Sequence, residues 1–290
     1  MTARSSSVPA GSRDSGSDRA APVGDDPESR PAVPQRPEDS RPLRFSRAEA
    51  LRRAAAKIAD EEGGPRPAAS GGAVPNYLEA TYHWAYLNPT SVWLLDRPAV
   101  VYGILWGQAG RLARAAASEL DPGQSVLQAA SVYGSFSRVL AERLGPDGRL
   151  EVVDVAPVQV ANCRRKLADY PQVTVRLADA RAPGDGLYDA VCCFFLLHEV
   201  PDDAKRAVVD ALLERVAPGG RVVFVDYHKP HWAHPLKPLM SVVFDTLEPF
   251  AKGLWRHEIV DLANLPDRFA WRKETYFGGL YQKVVAERKH

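Results

Sequence analysis

From residue 121 onward, apolar runs alternate with amphipathic ones. SVLQA (125–129) is a short apolar run, and FSRVLAERLG has helical spacing and stops at Gly145. RLEVVDV (149–155) is a second strand, and PVQVANCRRKLADY is a helix with Pro157 in its first turn. QVTVRLAD (172–179) alternates with β-branched residues, whereas YDAVCCFFLL (188–197) is continuously apolar, as expected of a strand covered on both faces. PDDAKRAVVDALLERVAPGG predicts a helix opened by two acids and closed by a Pro-Gly-Gly turn, followed by the strand RVVFVDY (221–227). FAWRKETYF and LYQKVVAER flank Gly278-Gly279 and predict a terminal hairpin. Strands alternating with helices imply an α/β fold: a mostly parallel sheet with helices on both faces, closed by an antiparallel C-terminal pair.

The N-terminal part reads differently. Residues 1–42 are Ser, Pro, Arg, Asp and Gly with few large apolar side chains, a composition that predicts a disordered tail. Residues 43–74 hold an amphipathic helix, RFSRAEALRRAAAKIADEE, and a linker broken at Gly63-Gly64-Pro65. Residues 75–120 are dense in Tyr and Trp, with helical spacing interrupted at Asn88-Pro89 and Arg97-Pro98, and predict an aromatic helical lid over the domain at 121–290.

Hydrophobic content of 45% supports a sizeable core, and a net charge of +1 argues against a nucleic-acid partner bound by bulk electrostatics. Three cysteines, two of them adjacent inside an apolar run, suit a reducing compartment and buried packing. No apolar run reaches the ~18 residues of a spanning helix. No secretory or organelle-targeting pattern is present, so a cytoplasmic location is the expectation.

Ligands of parallel sheets bind beyond the carboxyl ends of the strands, which selects residues 128–134, Asp154, Asp179, 195–199 and 226–234. Asp154 ends the second strand, where a carboxylate can accept both hydrogen bonds of a ribose diol; it also suits a plain helix start before Pro157. Asp179 ends the third strand, within reach of an adenine amino group. His198 follows the fourth strand as an acid–base or metal candidate, whereas Glu199 reads as an ordinary helix-start residue. In DYHKPHWAH (226–234), Asp226 and His228 share a face if the strand continues that far. His198, Asp226 and His228 together would suit a divalent ion such as manganese or iron, or His228 is a surface residue of a Pro-rich loop.

The order of elements, the two acids, the block LLERVAPGGRVVFVD and the closing hairpin resemble class I S-adenosylmethionine-dependent (SAM-dependent, Rossmann-like) methyltransferases. The likeness covers about residues 80–288. YHWAYLNP, LQAASVYGSFS, LLHEVPDDAK and VDYHKPHWAHPLKPLMSVVFDTLEPFA resemble, more specifically, the rhodoquinone biosynthesis (RquA) family. That family's activity replaces a ring methoxy group of ubiquinone by an amino group, with S-adenosylmethionine as nitrogen donor and manganese as supporting metal. The resemblance implies a donor site at Gln128, Ala130, Val132, Tyr133, Gly134, Asp154, Val155, Asp179 and Ala180. It implies catalysis by Tyr82, His198, Tyr227 and His228, with Tyr82, His83, Trp84 and Tyr86 over the quinone. It also implies peripheral contact with the inner membrane through the aromatic segment at 77–106.

The turn after the first strand departs from the methyltransferase pattern, since Gln128, Ala130 and Val132 stand where an acid and two glycines are usual. A carboxylate ~4 Å from the donor's ammonium is worth about 4 kcal/mol at an effective dielectric near 20. That would raise the ammonium pKa by about 3. Gln128 removes the charge and leaves an amine that can lose its proton and attack a ring. Two further readings are consistent with the sequence: a conventional quinone C- or O-methyltransferase, and a non-catalytic quinone-binding or assembly protein.

Overall fold

The computed structural model describes Val92 and residues 95–290. The expected tail, the amphipathic helix and most of the aromatic lid, Tyr82 included, lie outside the described residues. Helix α1 (Pro98–Ile104) opens with proline at its first position, where the missing N–H costs nothing, and α2 (Ala109–Ala117) follows. The sheet then begins with β1 (Ser125–Ala129), α3 (Phe136–Leu144), β2 (Arg149–Asp154), α4 (Pro157–Lys166) and β3 (Val173–Leu177). It continues with β4 (Tyr188–Phe194), a 3₁₀ turn at Leu197–Glu199, α5 (Asp202–Glu214) and β5 (Val216–Tyr227). Helices α6 (Lys237–Thr246) and α7 (Gly253–Arg256) precede the hairpin β6 (Phe269–Tyr276) and β7 (Tyr281–Arg288).

The seven strands lie in the order β3-β2-β1-β4-β5-β7-β6. The first five are parallel, and β7 inserts antiparallel between β5 and β6. The direction of strand order reverses between β1 and β4, so a crevice forms at their carboxyl ends. Strand parity divides the core. Val126, Val152, Cys192 and Val223 pack on one face with Leu112 of α2, Leu140 of α3 and Val160 of α4. Leu127, Val153, Cys193 and Phe224 pack on the other with Val208 and Leu212 of α5. The adjacent cysteines therefore point to opposite faces, and all three cysteines are buried and unpaired.

One expected boundary is displaced. The helix stops at Glu214, and Pro218-Gly219-Gly220 lies inside β5 rather than closing a helix. The pairing of β4 with β5 shifts register between Tyr188 and Ala190, and the glycines accommodate that bulge. Gly219 takes φ +76°, and a Cβ on Gly220 would sit 2.6 Å from the Asp189 carbonyl oxygen.

The hairpin is tied to the helical layer by charge. Glu119, just after α2, accepts hydrogen bonds from Lys283 Nζ at 2.6 Å and from Arg272. The side chains of Glu119 and Lys283 are 8% and 5% exposed, so each depends on the other for solvation. Burial raises the Glu119 carboxyl pKa, but Arg272 and Lys283 outweigh it and leave the group below its ordinary 4.5. We expect Glu119→Gln to lower unfolding stability by about 2 kcal/mol, because it removes the buried charge that accepts from Arg272 and Lys283, while Lys283 keeps Glu274 at 3.0 Å. A depressed folded pKa contributes stability above 4.5 and loses it as pH falls through the folded value. The gap between wild type and variant in urea melts should therefore close in acid.

Candidate active site

The turn after β1 is held from below. Gln128 is fully buried, and its Nε2 donates to the Ala130 carbonyl oxygen at 2.9 Å. Ala130 has φ +65°, a left-handed conformation that costs a non-glycine residue about 1 kcal/mol. The Gln128 amide braces that strained residue. Its Oε1 is a buried acceptor with no hydrogen-bond partner, set behind the turn rather than in the lining of either cavity described below.

Two cavities open beyond the strand ends. The first is lined by Ala130, Ser131, Asp154, Val155, Asp179 and Ala180, with Leu196, Glu199 and Val208 opposite. Asp154 Oδ2 accepts from the Ser131 N–H and Oδ1 from the Ala156 N–H, both at 2.8 Å, so it joins the turn to the start of α4. Burial pushes its carboxyl up to about 6 against those backbone donors. Asp179 is more open and is clasped by Arg181, whose N–H and guanidinium donate at 2.8 and 2.6 Å. Burial raises the Asp179 pKa, and Arg181 more than cancels the rise.

The second cavity, about 150 Å³ in volume, is lined by Val101, Ile104, Val132, Tyr133, Phe195, His198, Tyr227 and Glu248. Phe195 and His198 stand edge-on to Tyr227, with ring centroids 5.4 and 4.9 Å away. The two cavities share Ala130, Ser131 and Glu199 as a common wall. The strand-end rule selected Glu199 within 195–199, but its only expected role was that of a helix-start residue.

His198 is oriented by Asp226. Its Nδ1 lies 2.9 Å from Asp226 Oδ1, which leaves Nε2 as the free ring nitrogen on the cavity side. Asp226 is 1% exposed and also accepts from the backbone N–H groups of Leu197, His198 and Tyr227. Burial lowers the His198 pKa, and the Asp226 carboxylate raises it further the other way, to about 9. His198 is thus an imidazolium at neutral pH.

The expected metal set does not assemble. Asp226 spends its oxygens on four donors behind His198, away from the cavity. His228 N–H pairs with the Leu280 carbonyl, its Nδ1 lies 2.9 Å from Gly279 O, and its Nε2 lies 3.7 Å from Glu258 Oε1. Among the described residues no three His, Cys, Asp or Glu side chains gather to hold a metal ion. His228 therefore stands with the hairpin, and not with His198.

Gly134 is likewise occupied. Its N–H donates to Asp96 Oδ1 at 2.7 Å, and Asp96 also pairs with Lys166 at 2.8 Å and Asn162 at 3.0 Å. The carboxylate that meets this turn comes from the segment preceding α1, and its charge is answered by Lys166. Tyr133 bonds through its hydroxyl to Gln159 Nε2 at 3.0 Å.

The architecture is that of a class I methyltransferase, an α/β fold with a mostly parallel seven-stranded sheet and an antiparallel C-terminal pair. Residues 126–220 match the family model described as a methyltransferase domain. The chain is 28% identical over 134 residues to the ubiquinone/menaquinone biosynthesis C-methyltransferase UbiE of Ectopseudomonas mendocina, covering 44% of this chain and 50% of that protein. It is 35% identical over 138 residues to the demethylmenaquinone methyltransferase of Beutenbergia cavernae, covering 46% and 53%. The chain thus spans about half the length of these two relatives. An O-methyltransferase family protein from Burkholderia thailandensis superposes with a TM-score of 0.51 at 17% identity, covering 66% of this chain and 59% of that one.

The dyad makes a checkable statement about charge. Asp226→Asn should bring the His198 pKa down from about 9 toward its ordinary ~6.5, since burial is then opposed only by the charges of Glu248 and Glu199. An NMR titration of the imidazole reads this directly. A pKa raised on folding contributes stability that is complete below 6.5 and is lost as pH rises through 9. The wild type should accordingly lose stability between these values, and the variant should not.

Proposed function

We propose that this chain modifies the ring of a membrane quinone, with S-adenosylmethionine as donor and ubiquinone as acceptor. One observation carries the reading: a cavity edged by Asp154 and Asp179 meets an aromatic cavity along a single wall. In this reading the nucleoside of the donor takes the first cavity, and a planar ring takes the second, beside the contacting Phe195 and Tyr227 rings. Relatives named for quinone methylation support the quinone as acceptor.

When bound, S-adenosylmethionine supplies the transferred group, which in this reading is its α-amino nitrogen. Gln128, in place of the usual acid, pins no positive charge on that amine, so a neutral amine is available near its ordinary pKa of about 8. His198 Nε2–H donates to the quinone carbonyl oxygen and draws electron density from the methoxy-bearing carbon. Attack of the amine there would form the ring C–N bond and expel methoxide, which leaves as methanol with the amine's proton; the product of this step is the ring joined to the donor through nitrogen, with the donor's N–Cα bond still intact. Asp226 keeps the ring of His198 protonated on both nitrogens, so that Nε2–H can donate. Tyr102 and Ile104, 63% and 42% exposed on α1, give the mouth of the second cavity an apolar rim suited to peripheral contact with a lipid surface.

The names of the relatives favour a second reading, transfer of the donor's methyl group to a ring carbon. Incubation of the purified protein with ubiquinone and donor labelled with nitrogen-15 at the α-amino position tests the first. The expected product has lost a methoxy group and carries the label by mass spectrometry. Every ring carbon of ubiquinone is already substituted, so the second reading is tested in a parallel incubation with a demethylmenaquinone, where a product one methyl group heavier and free of label establishes it.

A further inference from the structure

We propose that Glu199 is the counter-charge that recognises the positive sulfur of the donor. The inference rests on the donor reading above and gives a role to a residue that the strand-end rule selected only as a helix start and to which the resemblance gave none. In S-adenosylmethionine the sulfonium joins the nucleoside to the amino-acid arm. A ligand with its nucleoside in the first cavity and its reactive arm toward the second must place that sulfur at their common wall. Of the three shared residues, Ala130, Ser131 and Glu199, only Glu199 carries charge.

Its position is fixed by backbone rather than by chance. Glu199 ends the 3₁₀ turn Leu197–Glu199, whose first two N–H groups bind the Asp226 carboxylate. The Glu199 N–H itself donates to the Leu196 carbonyl at 3.0 Å. The side chain is 14% exposed, so a charge facing it is poorly screened by water. His198 Nε2 stands 3.8 Å from Glu199 Oε1 on the cavity side, and His198 gives its other nitrogen to Asp226.

The charge of the surroundings fits a cationic ligand. Among the described lining residues of the two cavities are four carboxylates, Asp154, Asp179, Glu199 and Glu248, and one basic side chain, His198. The turn itself contributes no negative charge, since Gln128 replaces the expected acid. Recognition of the donor's charge has thereby moved from the amino-acid arm to the sulfur, and from β1 to the far wall. A carboxylate on the sulfonium side grips the ligand while leaving its amine untouched.

Isothermal calorimetry on the full-length chain tests this with three ligands: S-adenosylmethionine, S-adenosylhomocysteine and 5′-methylthioadenosine. The second lacks the sulfonium charge, and the third lacks both that charge and the amino-acid arm. For Glu199→Gln we expect affinity for S-adenosylmethionine to fall about tenfold while the two neutral thioethers bind as before; tenfold corresponds to about 1.4 kcal/mol. Unchanged binding of 5′-methylthioadenosine also shows that the variant is folded. Equal losses for S-adenosylmethionine and S-adenosylhomocysteine would place the carboxylate on the amino-acid arm and overturn the proposal. A loss for all three, or for none, overturns it as well. If the wild type binds none of the three, the donor reading itself fails, and the proposal falls with it.

Discussion

A single buried carboxylate organises the mouth of this sheet. Asp226 sits at the end of β5 and accepts hydrogen bonds from three backbone N–H groups and the His198 ring. A charge so deeply buried is tolerable only because every donor around it is supplied by the protein. The arrangement draws the segment after β4 against β5 and fixes the turn that carries His198 and Glu199. Without it the wall between the two cavities has no defined shape. The charge of the imidazole, the direction of its free nitrogen and the place of the neighbouring glutamate all follow from this one group.

Across the crevice the turn after β1 solves a different problem. A left-handed residue is needed there, and alanine occupies it at some conformational cost. Gln128 offsets part of that cost through its bond to the Ala130 carbonyl. A carboxylate in its place would face that carbonyl oxygen without a proton to offer. The glutamine is therefore suited to the turn it braces as well as to the neutral character of the site. The two roles come from the two ends of one amide: nitrogen toward the backbone, oxygen left over.

Much of the fold was legible in the sequence because strand and helix periods are strong signals. The apolar runs at β1, β2, β4 and β5 and the hairpin around Gly278-Gly279 follow the expected pattern, and the strand-end rule selected eleven of the twenty-five residues that line the two cavities. The bulge in β5 was not legible, since Pro-Gly-Gly is equally a turn signal and only pairing with β4 decides between them. The metal set failed for a related reason. Parity puts Asp226 and His228 on one face only while the strand lasts, and β5 ends at Tyr227. Past that point the antiparallel neighbour β7 decides, and Leu280 and Gly279 capture His228. The role of Glu199 was not legible because it depends on two cavities that meet only in three dimensions.

Asp96 links matters that are distant along the chain. By holding the Gly134 N–H and Lys166 together, it fastens the approach to α1 onto the donor turn. Raising α1 therefore means parting an ion pair whose side chains are only 11% and 9% exposed, while the turn loses a hydrogen bond at the same moment. Opening of the roof and loosening of the floor are thus one event rather than two. The chamber beyond the strand ends is either closed on both sides or not assembled at all.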